Sequence, residues 1–201
     1  MIKNIKTPLT KDITLGLKAG DSILLSGTIY TARDAAHGRM ISLLNEGKEL
    51  PINLENEIIY YVGPTPEKEG EVIGSAGPTT SYRMDSYAPR LLDLGLKGMI
   101  GKGARNEEVI EAIIRNKAIY FGAIGGAGAL ISKCIIGCEV IAYDYLGAEA
   151  IIIKVFLYTN IVDYDKFLTF STKLNLTIMK LLEDKRIKLA NPSADIYFSR
   201  K

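Results

Sequence analysis

The chain has 201 residues, of which 47% are apolar and 24% charged, and a formal net charge of +2. That composition is ordinary for a globular protein, and the length suits one domain able to bury its own core. Lysines and arginines are scattered without a basic run or aromatic–basic interleaving, which argues against nucleic acid. The first residues, Met1-Ile2-Lys3-Asn4-Ile5-Lys6, lack an apolar signal core, and the longest uncharged stretch, residues 118–132, is glycine-broken and shorter than the ~20 residues of a bilayer span, so a cytoplasmic protein with no membrane association is expected.

In chain order, Thr10 is placed to cap a short helix over residues 11–18, closed by Gly20. Residues 21–28 read as a strand. Residues 32–45 read as a helix with Ala36, Met40, Leu43 and Leu44 on one stripe and Gly47 near its end. A strand rich in Ile, Tyr and Val covers residues 57–62, and Gly63-Pro64-Thr65-Pro66 reads as a loop. Residues 71–75 are expected to form another strand leading into Gly77-Pro78-Thr79-Thr80-Ser81-Tyr82-Arg83-Met84-Asp85. The next helix has Pro89 near its first turn and Gly95 after its end.

Residues 97–100 read as a strand, followed by the loop Gly101-Lys102-Gly103 and by a helix over 107–115 that Asn106 can cap. A strand over 118–123, a tight turn at Gly125-Gly126 and a short helix over 127–133 come next. Cys134 and Cys138, the only cysteines, are spaced so that both thiols could share a helical face. They read as buried, reduced and structural, and two thiols are too few for an iron–sulfur cluster. Strands are expected over 139–143 and 150–158, and an amphipathic helix over 174–185. Strands alternating with helices at this spacing predict an α/β domain with parallel strands, while residues 21–30 and 57–62 could form a second sheet.

Three loops could carry chemistry, and each joins a strand to a helix or comes directly after a strand. Such loops gather at the carboxyl ends of the strands of an open α/β sheet. In Tyr30-Thr31-Ala32-Arg33-Asp34-Ala35-Ala36-His37, Arg33 and His37 are helical neighbours. Asp34 and His37 fit an N-terminal capping network, whereas Arg33 suits bidentate capture of a carboxylate. His37 is the only histidine, so a histidine-based zinc site has no ligand set.

In the second loop, the hydroxyls Thr79, Thr80 and Ser81 precede Arg83 at a helix start. This is either an anion site or an N-cap with one satisfied arginine. In the third, Lys102 between two glycines can approach a ligand closely. Leu96 and Gly103 stand where a P-loop needs Gly and Ser or Thr, so it is not that motif. The glycines at 122, 125, 126 and 128 do not fit a dinucleotide fingerprint and read as permitting close backbone packing. Two or three cations and a hydroxyl cluster thus point to a carboxylate or phosphate, with no paired acids and no nucleophile–histidine–acid set.

Taken together, Ala32-Arg33-Asp34-Ala35-Ala36-His37, the segment from Gly77 to Asp85, and Gly101-Lys102-Gly103 resemble the class I fumarate hydratase family. More narrowly, the chain looks like the separate β subunit of the two-chain fumarases, related to the β subunit of L-tartrate dehydratase. Tyr120-Phe121-Gly122-Ala123-Ile124-Gly125-Gly126-Ala127 and Leu146-Gly147-Ala148-Glu149-Ala150 extend the likeness over residues 1–152. From about residue 155 onward the chain looks unlike the family, with no Phe-Pro in Lys154-Val155-Phe156-Leu157-Tyr158.

The resemblance implies a single domain over 1–201 with a swivelling β/β/α fold of three layers, a parallel sheet packed on a second sheet with helices outside. It implies a hydro-lyase that reversibly hydrates fumarate to L-malate, active only with a cysteine-bearing α subunit. That α subunit, and not this chain, would hold a [4Fe–4S] cluster through three cysteines, leaving one iron open to substrate. The active site would form between the two halves, in a higher oligomer of αβ pairs. By the same likeness Thr79 is the base that takes the C3 proton of malate, and Arg33, Arg83 and Lys102 hold substrate carboxylates. Thr80 and Ser81 would contact substrate, with Asp34, His37 and Asp85 supporting them and no metal ligand from this chain. The alternatives are an L-tartrate dehydratase β subunit and a non-catalytic carboxylate-binding or regulatory subunit.

Overall fold

The long second strand organises the molecule. The computed structural model describes residues 2–149 and 152–157, all within one compact unit. Strand β1 (Ile2–Lys6) pairs in parallel with the first half of β2 (Ser22–Thr31), from Ser22 to Ser26. The second half of β2 pairs in parallel with β3 (Ile58–Tyr60) and antiparallel with β7 (Ile152–Leu157). Gly27 lies at the junction with φ +111, and a side chain there would meet Thr7 Oγ1 at 2.2 Å, so only glycine allows the handover. Strand β4 (Gly98–Gly101) joins β3, and β5 (Ile119–Gly122) joins β4, both in parallel, while β6 (Ile135–Ala142) runs antiparallel to β7.

The α/β class is as expected, with five parallel strands, but the second sheet is not seen among the described residues. Strands β2 and β3, expected as its members, are hydrogen-bonded into the parallel sheet through Tyr30 opposite Ile59 and Thr31 opposite Tyr60. The reason is the length of β2, which serves β1 with one half and β3 with the other and so continues one sheet. The segments expected as a helix over 174–185 and as a divergent tail lie outside the described residues.

Strand β3 shows why both faces of the sheet are covered. Ile58 and Tyr60 point to one face, Ile59 and Tyr61 to the other, and all four are buried. On the second face lie helices α2 (Asp34–Asn45), α3 (Ala88–Asp93) and α4 (Glu107–Asn116). They contribute Ala36 and Met40, Leu91 and Leu92, and Val109 and Ala112 to a core shared with Met99. Each fully buried Leu or Met there stabilises the fold by roughly 2 kcal/mol. The opposite face buries Ile5, Leu9, Ile29, Ile73 and Ile135. The sheet order advances in one direction from β2 to β5, so parallel connections that keep one hand put α2, α3 and α4 on the same face.

The local departures have local causes. Helix α1 (Lys11–Leu15), capped by the Thr10 hydroxyl, stops at Gly16 and not at residue 18, where Asp21 Oδ2 accepts from the Lys18 amide at 2.7 Å and holds the chain in a turn. Residues 71–75 form no strand. Their backbone partner is the loop around Thr65, where Pro64 and Pro66 have no N–H to extend a ladder beyond the bonds between Thr65 and Ser75. Helix α5 (Gly128–Ile131) passes into a 3₁₀ turn, Ser132–Cys134, and Cys138 lies in β6, so the two thiols do not share a helical face. Both are free, and Cys138 is exposed, contrary to the expected buried pair. Among the described residues no helix is long and apolar enough to cross a membrane.

Candidate functional site

The carboxyl ends of β2, β3, β4 and β5 lie side by side. The first and third loops singled out in the sequence begin at the ends of β2 and β4, and the second, which follows no strand, is tied to the end of β3 through the Thr79 amide. The ladder continues past the strands: the Ala32 amide donates to Tyr60 O at 3.2 Å, Tyr61 to Ile100 O at 2.8 Å and Ala123 to Gly101 O at 2.7 Å. The first and third loops therefore leave the sheet from a hydrogen-bonded rim.

At the end of β2, Arg33 occupies the N-cap position of α2 in extended backbone without a capping side-chain bond. Asp34, in the first turn, pairs with Arg83 from the second loop. Its other oxygen stands 3.7 Å from Arg33 Nε, beyond hydrogen-bond range, and that buried Nε has no hydrogen-bond partner in the described protein. The two arginines thus face one resident carboxylate. Beneath them, His37 is fully buried, edge-on to Tyr61 with 5.3 Å between ring centroids. Its Nδ1 lies 2.8 Å from the Arg33 carbonyl. A carbonyl only accepts, so Nδ1 carries the proton. Burial, chiefly, pushes the imidazole pKa down to about 4 despite that bond, with the Arg105 charge adding to the shift, so His37 is neutral at pH 7.

The second and third loops are stitched together by backbone. The Thr79 amide donates to Tyr61 O at 2.8 Å, Lys102 to Thr79 O at 3.3 Å, and Ser81 to Lys102 O at 2.9 Å. Thr80 and Lys102 form a parallel bridge. Thr79 and Thr80 are half-buried, and neither hydroxyl caps the 3₁₀ turn Ser81–Met84 that comes next. Lys102 is exposed, and a methyl group on Gly125 would stand 3.8 Å from its Nζ, so the ammonium lies over the turn after β5. Gly101 is required for this closure, because a side chain there would meet Ser81 Oγ at 2.1 Å.

Under the two loops sits a cluster that the sequence did not single out. Arg105, with its side chain 2% exposed, donates from Nε to Asp85 Oδ1 at 2.7 Å. Asp85 Oδ2 accepts from the Asn106 amide at 2.9 Å, which fixes the start of α4. The Arg105 guanidinium lies over the rings of Tyr61 and Tyr120, at 5.3 and 5.2 Å. Burial pushes the Tyr61 phenol up to about 12 against the lowering influence of Arg105. The Tyr120 hydroxyl meets Ser81 Oγ at 2.8 Å and Gly103 O at 2.9 Å.

Of the residues expected to act, Arg33, Asp34 and Arg83 come together at the end of β2, and Thr79, Thr80 and Lys102 at the ends of β3 and β4. Ser81, His37 and Asp85 are buried and form the frame of the site. Arg105, Tyr61 and Tyr120 escaped notice in the sequence. The available signal was that Arg105 occupies a strand-to-helix loop just as Arg33 does. Among the described residues no three His, Cys, Asp or Glu side chains converge as a metal site. The surface that results is cationic and carries hydroxyls, the groups that pair with a small anion.

A family model described as "Fumarase C-terminus" matches residues 2–166. The chain is 42% identical over 129 residues to the anaerobic class I fumarate hydratase of Escherichia coli K12, 63% of this chain and 24% of that protein. It is 37% identical over 134 residues to fumarate hydratase 2 of Leishmania major, covering 66% of this chain and 24% of the relative. It is also 37% identical over 130 residues to a Methanocaldococcus jannaschii protein described as "Putative L(+)-tartrate dehydratase subunit beta", 63% of this chain and 67% of that one. The match therefore spans about a quarter of the E. coli and Leishmania enzymes and two thirds of the archaeal chain.

Proposed function

The chain belongs to the fumarase C-terminus family, and from that premise we propose that it is the β half of a hydro-lyase that interconverts fumarate and L-malate. The observation that carries the reading is the backbone stitching of Thr79 to Lys102, beside Arg33 and Arg83 gathered about Asp34. In this reading Arg33, Arg83 and Lys102 hold the substrate carboxylates and Thr79 takes the C3 proton of malate. The electron pair of that C–H bond becomes the C2–C3 double bond as the C2 hydroxyl is expelled. Removing the proton loads additional negative charge onto the neighbouring carboxylate. Cations fixed beforehand stabilise that charge more than they stabilise the ground state. A neutral threonine hydroxyl is a weak base, and nearby cations favour its ionised form.

The iron–sulfur cluster implied by the resemblance does not fit the side chains of this chain. Its two cysteines lie in a 3₁₀ turn and on an exposed strand, and no ligand cluster is present among the described residues. In our reading the cluster belongs to a cysteine-bearing α subunit, with the active site between the chains and αβ pairs assembled into a higher oligomer in the cytoplasm.

A second reading, an L-tartrate dehydratase β subunit, is favoured by the archaeal relative, whose length this chain covers best among the three compared. Anaerobic co-expression with the partner chain, followed by assays on fumarate, malate and tartrate, tests both. Turnover of fumarate and malate is expected. Turnover of tartrate alone would establish the second reading, and dicarboxylate binding without turnover would make the chain a regulatory subunit.

A further inference from the structure

Resting on the hydro-lyase reading, we propose that Arg105 and Tyr120 are positioning residues that set the placement of Thr79 against Lys102. A phenol has one proton to give. Because Tyr120 donates it to the Gly103 carbonyl at 2.9 Å, the Ser81 hydroxyl must donate to the Tyr120 oxygen at 2.8 Å. The bonds therefore run in one direction, from Ser81 to Tyr120 to Gly103. Ser81 is two residues beyond Thr79 and Gly103 is one beyond Lys102. The Tyr120 hydroxyl is thus a strut across the same two loops that the Thr79–Lys102 backbone bonds join.

Arg105 fixes that strut from below. Its guanidinium covers Tyr120, whose hydroxyl joins the loops, and Tyr61, whose carbonyl receives the Thr79 amide. Asp85, inside the second loop, holds its Nε. One buried cation therefore touches all three supports of the site. A buried ion pair is a poor source of net stability, because desolvation offsets most of the attraction. What this one supplies is geometry: a planar fork seated between two rings and a carboxylate admits few orientations.

The test is made on the assembled enzyme with Tyr120→Phe and Arg105→Lys, with Thr79→Ala as reference. Tyr120→Phe removes one oxygen from a side chain whose ring stays in place. It should lower kcat by roughly tenfold to a hundredfold, the scale of a displacement of about 1 Å, and change KM far less, because Lys102 shifts with its loop while Arg33 and Arg83 still hold a carboxylate. Arg105→Lys keeps the charge and loses the fork, and should give the same split. Backbone amide exchange at Thr79, Ser81 and Lys102 should accelerate in Tyr120→Phe even in the isolated chain. If Arg105→Lys does not fold, Tyr120→Phe decides alone. A lower melting temperature with wild-type kcat and unchanged amide exchange, in an enzyme that Thr79→Ala inactivates, overturns the positioning role and leaves the hydro-lyase reading standing. A fully active Thr79→Ala enzyme removes that reading and this proposal with it.

Discussion

Thr79 could have been a helix cap, and at the scale of one residue the structure separates the two roles. The 3₁₀ turn beyond it carries no side-chain cap, and Thr79 is held through its backbone, by Tyr61 O and Lys102 N. Thr79→Ala should therefore keep its melting temperature while kcat and kcat/KM fall together, with KM little changed. Steady-state kinetics and a thermal melt on the same assembled variant are sufficient, and a fully active enzyme would move the base elsewhere. His37 carries the other residue-scale prediction. Its folded pKa of about 4 lies below the ordinary histidine value of 6.5. Between those values the unfolded chain binds a proton that the folded chain does not, so stability rises with pH across that window. Stability contributed by the neutral imidazole is complete above pH 6.5 and lost as pH falls towards 4. The chain should be about 2 kcal/mol less stable at pH 5 than at pH 7 on this account. Urea unfolding at both values, compared with His37→Gln, measures it; equal pH dependence in the two proteins would remove His37 as the cause.

Elements were legible where period and caps agreed, and less so where pairing decided. Asn106 announced α4, and the structure shows its Oδ1 accepting from Val109 N at 2.9 Å. The helix closes at Lys117 in the left-handed region. Pro89 and Gly95 bracketed α3 in the same way. Residues 71–75 looked equally strand-like, yet no strand accepts them, because strand formation is a property of the partner as well as of the sequence. The second sheet was misplaced for a related reason: nothing local to β2 says that its two halves have different neighbours. Arg105 was missed because its partners Asp85 and Tyr61 lie 20 and 44 residues away in the chain. The element-scale prediction uses the α4 cap. Asn106→Ala should cost about 1 kcal/mol of stability. The Asn106 amide stays bonded to Asp85, so kcat of the assembled enzyme should remain within about twofold of wild type. Chemical denaturation and kinetics read the two quantities separately, and an inactive but stable variant would place the cap in the site.

At the scale of the molecule, the described residues supply one kind of chemistry. They offer cations, hydroxyls and a buried frame at the carboxyl rim of a parallel sheet, with no converging set of metal ligands. The chain matches about a quarter of the length of the E. coli and Leishmania fumarases. In the proposed enzyme the expulsion of the hydroxyl therefore falls to the partner chain, and carboxylate binding and proton removal to this one. The two tasks act on adjacent carbons of one substrate, so neither chain should turn it over alone. The chain purified anaerobically without its partner should show no iron–sulfur absorbance and no fumarate hydration. Titrating in the α subunit should restore turnover in proportion to αβ pairs formed. Cys134→Ser with Cys138→Ser should leave the activity of the pair nearly intact, because both thiols are free and Cys138 is exposed on β6. The experiment is decisive in both directions. Turnover or cluster absorbance from this chain alone would end the division of labour, and so would loss of the cluster in a folded, paired double variant, since either result gives this chain a metal role that the placement of its cysteines argues against.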